Sequence, residues 1–191
     1  MKIDIILAGV GGQGILTIAT IIGTAAIKRG MHLKQAEVHG MSQRGGDVQS
    51  HLRLSDEPIW SDLIAFGGAD MILSVEPMEA LRYLPYLKKD GWIITNSNPF
   101  KNIAVYPPEE DIYNEIKKID KHILFDADAI AKEIKATRAM NIVVLGAAIK
   151  QLGFTQTEIE EAIKAIFARK GEAIVDSNLR ALQAGIDIGG K

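Results

Sequence analysis

Two short segments hold the residues whose types and spacing can do chemistry. The first, Gly9-Val10-Gly11-Gly12-Gln13-Gly14, follows the apolar run from Ile3 to Ala8 and precedes a proline-free stretch from Ile15 to Arg29. Strand, glycine turn and helix in that order form a phosphate-cradling unit. Glycines at 9, 11 and 14 permit a tight turn, close approach of a ligand to the backbone, and close packing of helix on strand. The helix N-terminus then offers amides and positive potential to an anion. The second segment, Glu37-Val38-His39-Gly40-Met41-Ser42-Gln43-Arg44-Gly45-Gly46, gathers a carboxylate, an imidazole, a hydroxyl, an amide and a guanidinium. Gly40, Gly45 and Gly46 open backbone angles closed to other residues, and Arg44 can hold a carboxylate or phosphate in a two-pronged fork.

Each segment also has a plainer reading. A glycine-rich turn also occurs where a strand and a helix simply pack closely, and the second segment can be a surface loop in which Arg44 pairs with Glu37 and His39 caps a backbone group. Read as a dinucleotide fingerprint, the first segment requires an acid about twenty residues on, at the end of the second strand, and Glu37 stands near that place. The Gln13-Gly14 helix start and the loop after Glu37 depart from what a nicotinamide enzyme requires. Ser42 lies in no GxSxG elbow and His39 has no acid placed to orient it, which argues against a hydrolase triad.

The elements that must position these residues show an α/β rhythm. Strands are expected at 3–8, 31–38, 47–54, 71–75, 92–95, 103–106 and 122–125, with helices at 15–29, 77–84 and 109–118. If the sheet order reverses between the first and second strands, the glycine turn and the 37–46 loop share one crevice at the carboxyl edge. Asp126 or Asp128 is placed to cap the next helix, and from about Ala127 the pattern is wholly helical. One helix ends at Gly153, a second starts at Thr155 with a capping signal, and a last one runs from Asp176 to Ile186. The expected fold is an open, mostly parallel, Rossmann-like sheet with helices on both faces and a helical C-terminal flank, in a single domain over residues 1–191.

Composition excludes several classes. The chain has 191 residues, 47% hydrophobic and 24% charged, with a net charge of −2, so it has no general attraction for nucleic acid or anionic membrane. No apolar stretch reaches the length of a membrane span, and a cytoplasmic location is expected. There is no cysteine, which removes disulfides, thiolate catalysis and cysteine-ligated zinc or iron–sulfur clusters. The four histidines show no metal-binding spacing, and no metal site is expected.

Taken together, Gly9 to Gly14 and Glu37 to Gly46 resemble the gamma subunit, or gamma domain, of the 2-oxoacid:ferredoxin oxidoreductases. The likeness spans nearly the whole chain, including Asn141-Ile142-Val143-Val144-Leu145-Gly146-Ala147. The resemblance implies one subunit of an enzyme that oxidatively decarboxylates a 2-oxoacid, with an aryl pyruvate such as indolepyruvate preferred and pyruvate, 2-oxoglutarate and branched-chain oxoacids left open. Electrons pass singly to ferredoxin and the acyl group goes to coenzyme A as co-substrate. It further implies a larger partner subunit carrying thiamine diphosphate and the iron–sulfur clusters, with no cofactor bound by this chain alone and the isolated chain inactive.

On this reading Gly9, Gly11, Gly12, Gln13, Gly14, Glu37, His39, Gly40, Ser42, Gln43, Arg44, Gly45 and Gly46 form a ligand-binding or interface region. Arg44 and the turn amides are expected to meet a carboxylate or a coenzyme A phosphate. The alternatives are a stand-alone nicotinamide-dependent oxidoreductase and a non-catalytic assembly subunit. Apolar faces meant for a partner can promote a homodimer of the isolated chain.

Overall fold

A computed structural model describes residues 1–39, 45–101 and 103–190. Among these, the strands form one six-stranded sheet in the order β2-β3-β1-β4-β5-β6. They are β1 (Lys2–Val10), β2 (His32–His39), β3 (Asp47–Ser55), β4 (Ala69–Ser74), β5 (Leu87–Asn96) and β6 (His122–Phe125). The pairs β1/β4, β4/β5 and β5/β6 are parallel, whereas β3 runs antiparallel to both β1 and β2. Five strands therefore share one direction, as the mostly parallel expectation requires, but β3 is inserted between β1 and β2 by a hairpin.

Side chains of β1 alternate between two cores, because successive residues of a strand face opposite sides of the sheet. Ile3, Ile5 and Leu7 enter the larger core with α1 (Ile15–Lys28), α4 (Ala127–Glu133), α5 (Met140–Leu152) and α6 (Gln156–Phe167). Ile6 and Ala8 enter the smaller one with α2 (Pro77–Arg82) and α3 (Glu109–Lys117). A strand buried on both faces reads as a continuous apolar run, which is why it was legible.

Local chemistry sets the helix boundaries. Helix α1 ends at Lys28, and Gly30 (φ +78°) turns the chain so that Gly30 N–H donates to the Ile27 carbonyl and Met31 N–H to the Ala26 carbonyl, a Schellman closure. Thr155 and Glu158 cap α6 reciprocally, as the sequence signal required. The last helix, α7 (Glu172–Gly189), is longer at both ends than expected. It crosses α5 with backbone contact, since a Cβ on Gly185 would strike the Val143 carbonyl and one on Gly146 the Leu182 carbonyl.

Two expectations fail. Residues 103–106 are irregular and form no strand, with Ile103 45% and Val105 84% exposed, so the alternation there has no buried face to serve. The stretch from Ala127 to Gly153 is not one helix. It breaks after Glu133, where Lys135 takes φ +55°, and resumes through a 3₁₀ turn at Thr137–Ala139. Asp126 caps α4 by accepting from Ala129 N–H at 2.8 Å, while Asp128 instead accepts from the Asn96 amide at 2.8 Å.

Candidate functional site

The switch point of this sheet lies between β1 and β4. The chain leaves β1 through α1 toward β2 on one side, and leaves β4 through α2 toward β5 on the other, opening a crevice at their carboxyl ends. The glycine turn occupies that crevice. Gly12 (φ +101°) and Gly14 (φ +84°) are left-handed, and Gly14 caps α1 through its backbone. A Cβ at Gly9 would run into Val75 and come within 2.8 Å of Ile15 Cδ1, whereas one at Gly12 would meet nothing. Gly9 thus serves helix-on-strand packing, and Gly12 leaves an open backbone face.

Gln13 closes the turn. Its Oε1 accepts from Val10 N–H at 2.8 Å and its Nε2 donates to the Val75 carbonyl at 3.5 Å, so one side chain joins the ends of β1 and β4. Asn141 at the start of α5 donates to the Gly14 carbonyl at 2.9 Å and fixes the turn from above. The first-turn amides of Ile15 and Leu16 find no acceptor among the described residues and remain directed at the crevice.

The second segment meets the first at the hairpin base. Gly11 N–H donates to the Gly46 carbonyl at 2.8 Å, and Val10 stands opposite Asp47. The turn therefore brings Gly9, Gly11, Gly12, Gln13 and Gly14 together with Gly45 and Gly46. Glu37 is held apart: it pairs with Ser50, which pairs with Leu7, so it lies two strand spacings, about 10 Å, from β1 and short of the carboxyl edge. That placement does not suit an acid for a ribose beside the glycine turn. His39 ends β2 opposite Val48. Gly40, Ser42, Gln43 and Arg44 lie outside the described residues.

Two cavities flank the turn. One of about 300 Å³ is largely apolar and runs between Gly11, Ile15, Leu16 and Val48. The other, about 370 Å³, is lined by Gly12, Gly14, Thr17, Arg138, Asn141 and Lys170, among others. Arg138 and Lys170 are exposed and have no carboxylate partner among the described residues; Lys170 lies over the Phe167 ring at 5.2 Å. Two cations and the positive end of α1 thus converge on one hollow. Neither cation was legible from the sequence, because they come from different turns that only the tertiary fold brings together.

A buried acidic group borders the other side of β4. Glu76 caps α2, accepting from Glu79 N–H at 2.8 Å, Phe100 N–H at 3.3 Å and the Tyr106 hydroxyl at 2.5 Å. These three donors make Glu76 a clasp that joins the start of α2 to Phe100 and Tyr106. Burial, together with the neighbouring Glu76, pushes the Tyr106 phenol well above its usual range. Glu79 is also buried and pairs with Arg82 at 2.8 Å; burial raises its carboxyl despite that partner. The Glu76-Pro77 pair, a cap followed by proline at the first helical position, was the available sequence signal for this node.

An open α/β sheet whose switch point carries a glycine turn, braced by a hairpin and flanked by two cations, places the chain in the doubly wound α/β class. The chain belongs to the pyruvate ferredoxin/flavodoxin oxidoreductase family, whose model matches residues 4–188. It is 38% identical to indolepyruvate oxidoreductase subunit IorB of Pyrococcus horikoshii over 96% of this chain and 94% of that one. In fold it matches a 2-oxoglutarate:ferredoxin oxidoreductase from Magnetococcus marinus, solved with 2-oxoglutarate, coenzyme A and succinyl-CoA bound, with a TM-score of 0.80 at 21% identity. That match covers 99% of this chain but only 31% of the other, so the chain corresponds to about a third of a longer polypeptide. It also matches the pyruvate oxidoreductase subunit PORC of Thermotoga maritima at 0.74, with 20% identity, over 98% and 96% of the two chains.

Proposed function

We propose that this chain is the thiamine-free and cluster-free subunit of a 2-oxoacid:ferredoxin oxidoreductase, with indolepyruvate as the expected oxoacid, and that its carboxyl-edge crevice completes the active-site interface. The observation that carries this reading is the junction of both motif segments at the Gly11–Gly46 hydrogen bond, on a turn whose Gly12 and Gly14 share a hollow with Arg138 and Lys170. Such a crevice suits the anionic end of a substrate, either the oxoacid carboxylate or a coenzyme A phosphate.

In the overall reaction the bond between the carboxylate and the keto carbon breaks and carbon dioxide leaves. A thioester bond to coenzyme A forms, one proton is released, and two electrons pass singly to two oxidised ferredoxins. Thiamine diphosphate and iron–sulfur clusters on the larger partner supply that chemistry. A chain without cysteine has no thiolates to hold such clusters. The part left to this subunit is electrostatic and positional: amides of the α1 first turn, and cations held near them, orient the anion and lower the energy of charge in a closed interface.

A stand-alone nicotinamide enzyme fits less well, because β3 separates Glu37 from the glycine turn. The test is reconstitution with the larger subunit. Activity is expected only when both are present, the isolated chain should bind no NADH, and Arg44→Ala should raise the Michaelis constant for the oxoacid or for coenzyme A. Unchanged assembly and unchanged constants for both substrates would remove Arg44 from the site.

A further inference from the structure

The segment between β3 and β4 presents large apolar side chains to water on a backbone that is firmly held. Trp60 is 93% exposed, Phe66 74% and Leu63 56%. Such a loop would be expected to fold these side chains inward if it were free to do so. It is instead pinned. Arg53 Nη1 donates to the carbonyls of Ser61 and Leu63, each at 3.0 Å, while its Nε grips the buried Asp4 at 2.7 Å. Ile64 N–H donates to His51 Nδ1 at 3.0 Å, and Gly67 N–H to the Pro85 carbonyl at 2.9 Å. Phe66 rests against the Tyr86 ring with centroids 4.7 Å apart, and beside them opens a hollow of about 480 Å³. Phe66 and Leu63 line that hollow and Trp60 stands free next to it in sequence, so a held backbone offers exposed apolar side chains around a shallow apolar depression, the anatomy of an interface centre.

Charge selects the occupant. Residues 56–62 carry Asp56, Glu57 and Asp62 and no lysine or arginine. Asp56 is taken by the chain's amino terminus, but Glu57 and Asp62 have no ion-pair partner among the described residues. A two-fold contact between copies places the same patch on both sides, which would bring these acids together. We propose that this surface docks the larger subunit of the complex, through an apolar cleft on that subunit rimmed by lysine or arginine. The contact lies toward the amino edge of the sheet, since Ser55 is paired with Lys2, and is therefore separate from the glycine-turn crevice. The proposal rests on the subunit reading above.

The test co-expresses the chain with the larger oxidoreductase subunit from the same organism and measures binding of the two purified proteins. Trp60→Ala is expected to weaken binding about thirtyfold or more, as loss of an interface anchor does, with thermal unfolding of the free chain unchanged. Phe66→Ala should act in the same direction, and Asp62→Lys should weaken binding chiefly at low salt. Wild-type binding that survives Trp60→Ala and Phe66→Ala intact would overturn the docking surface while leaving the subunit reading standing. Failure of the wild-type pair to bind would overturn both. A homodimer of the isolated chain that Trp60→Ala disperses, with capture by the larger subunit unaffected, would assign the surface to a second copy and overturn the proposal.

Discussion

The backbone N–H of Gly11 donates to the carbonyl of Gly46 at 2.8 Å, tying the glycine turn to the base of the hairpin between β2 and β3. Two segments separated by some thirty residues of chain thus act as one unit. The turn cannot shift without moving the hairpin, and Gln13 couples the same turn to β4.

The glycines of the turn should differ in sensitivity. At Gly14 a side chain is strained by φ +84° and would also lie 2.6 Å from Asn141 Nδ2, displacing a bond that holds α5. Gly14→Ala is expected to destabilise the chain by about 2–3 kcal/mol, seen as a lower denaturation midpoint. Gly12→Ala meets open space, so only the strain of the left-handed backbone remains, about 1 kcal/mol.

Arg53 links a buried carboxylate to the exposed loop. Asp4 is 4% exposed and takes both prongs of the guanidinium, at 2.7 and 3.1 Å. Removing the guanidinium leaves that buried carboxylate only the longer Lys2 contact at 3.7 Å, and Arg53→Ala should cost about 2–3 kcal/mol of stability. Loss of the bonds to Ser61 and Leu63 should also quicken proteolysis near Trp60 relative to wild type.

His51 makes the same loop sensitive to acid. Burial and the Arg53 guanidinium push its imidazole below its ordinary value, against the opposing pull of Asp62, and its Nδ1 accepts from Ile64 N–H in the neutral form. The unfolded chain then takes up its proton first. The stabilisation is complete above the unfolded value of about 6.5 and declines as pH falls from there through the lower folded value. Urea midpoints compared at neutral and mildly acidic pH should show this decline, and it should shrink in His51→Gln. An identical pH profile in the variant would assign the effect elsewhere.

How far the fold could be read from the sequence depended on range. Continuous apolar runs announced β1 and β4, and the Thr155–Glu158 pair announced α6, because those signals are local. The insertion of β3 between β1 and β2 is a long-range pairing and left no local mark beyond the glycines of the intervening loop. For the same reason the sequence puts Glu37 near the place of a ribose acid, whereas the strand order sets it apart from the turn. Arg138, Lys170 and Asn141 reach the crevice only through packing of the C-terminal helices, so residue spacing could not reveal them.

The break between α4 and α5 is the clearest local miss. Lys135 adopts φ +55°, a conformation that residues with a Cβ adopt at a cost, and no glycine marks the place. Lys135→Gly should relieve that strain and stabilise the chain by up to about 1 kcal/mol, less whatever chain entropy glycine adds to the unfolded state. Calorimetry showing a clear loss of stability would mean that the lysine side chain, not its backbone, matters at this turn.

The most direct measurement is steady-state kinetics of the reconstituted complex with Arg138→Gln and Lys170→Gln, varying coenzyme A and the 2-oxoacid separately. If the crevice completes the active site, assembly should persist and the Michaelis constant for one of these anionic substrates should rise about tenfold, as expected for loss of a charged contact. The constant for ferredoxin should stay near wild type. Unchanged constants for both coenzyme A and the oxoacid in the double variant, with assembly intact, would contradict a substrate-binding role for this crevice.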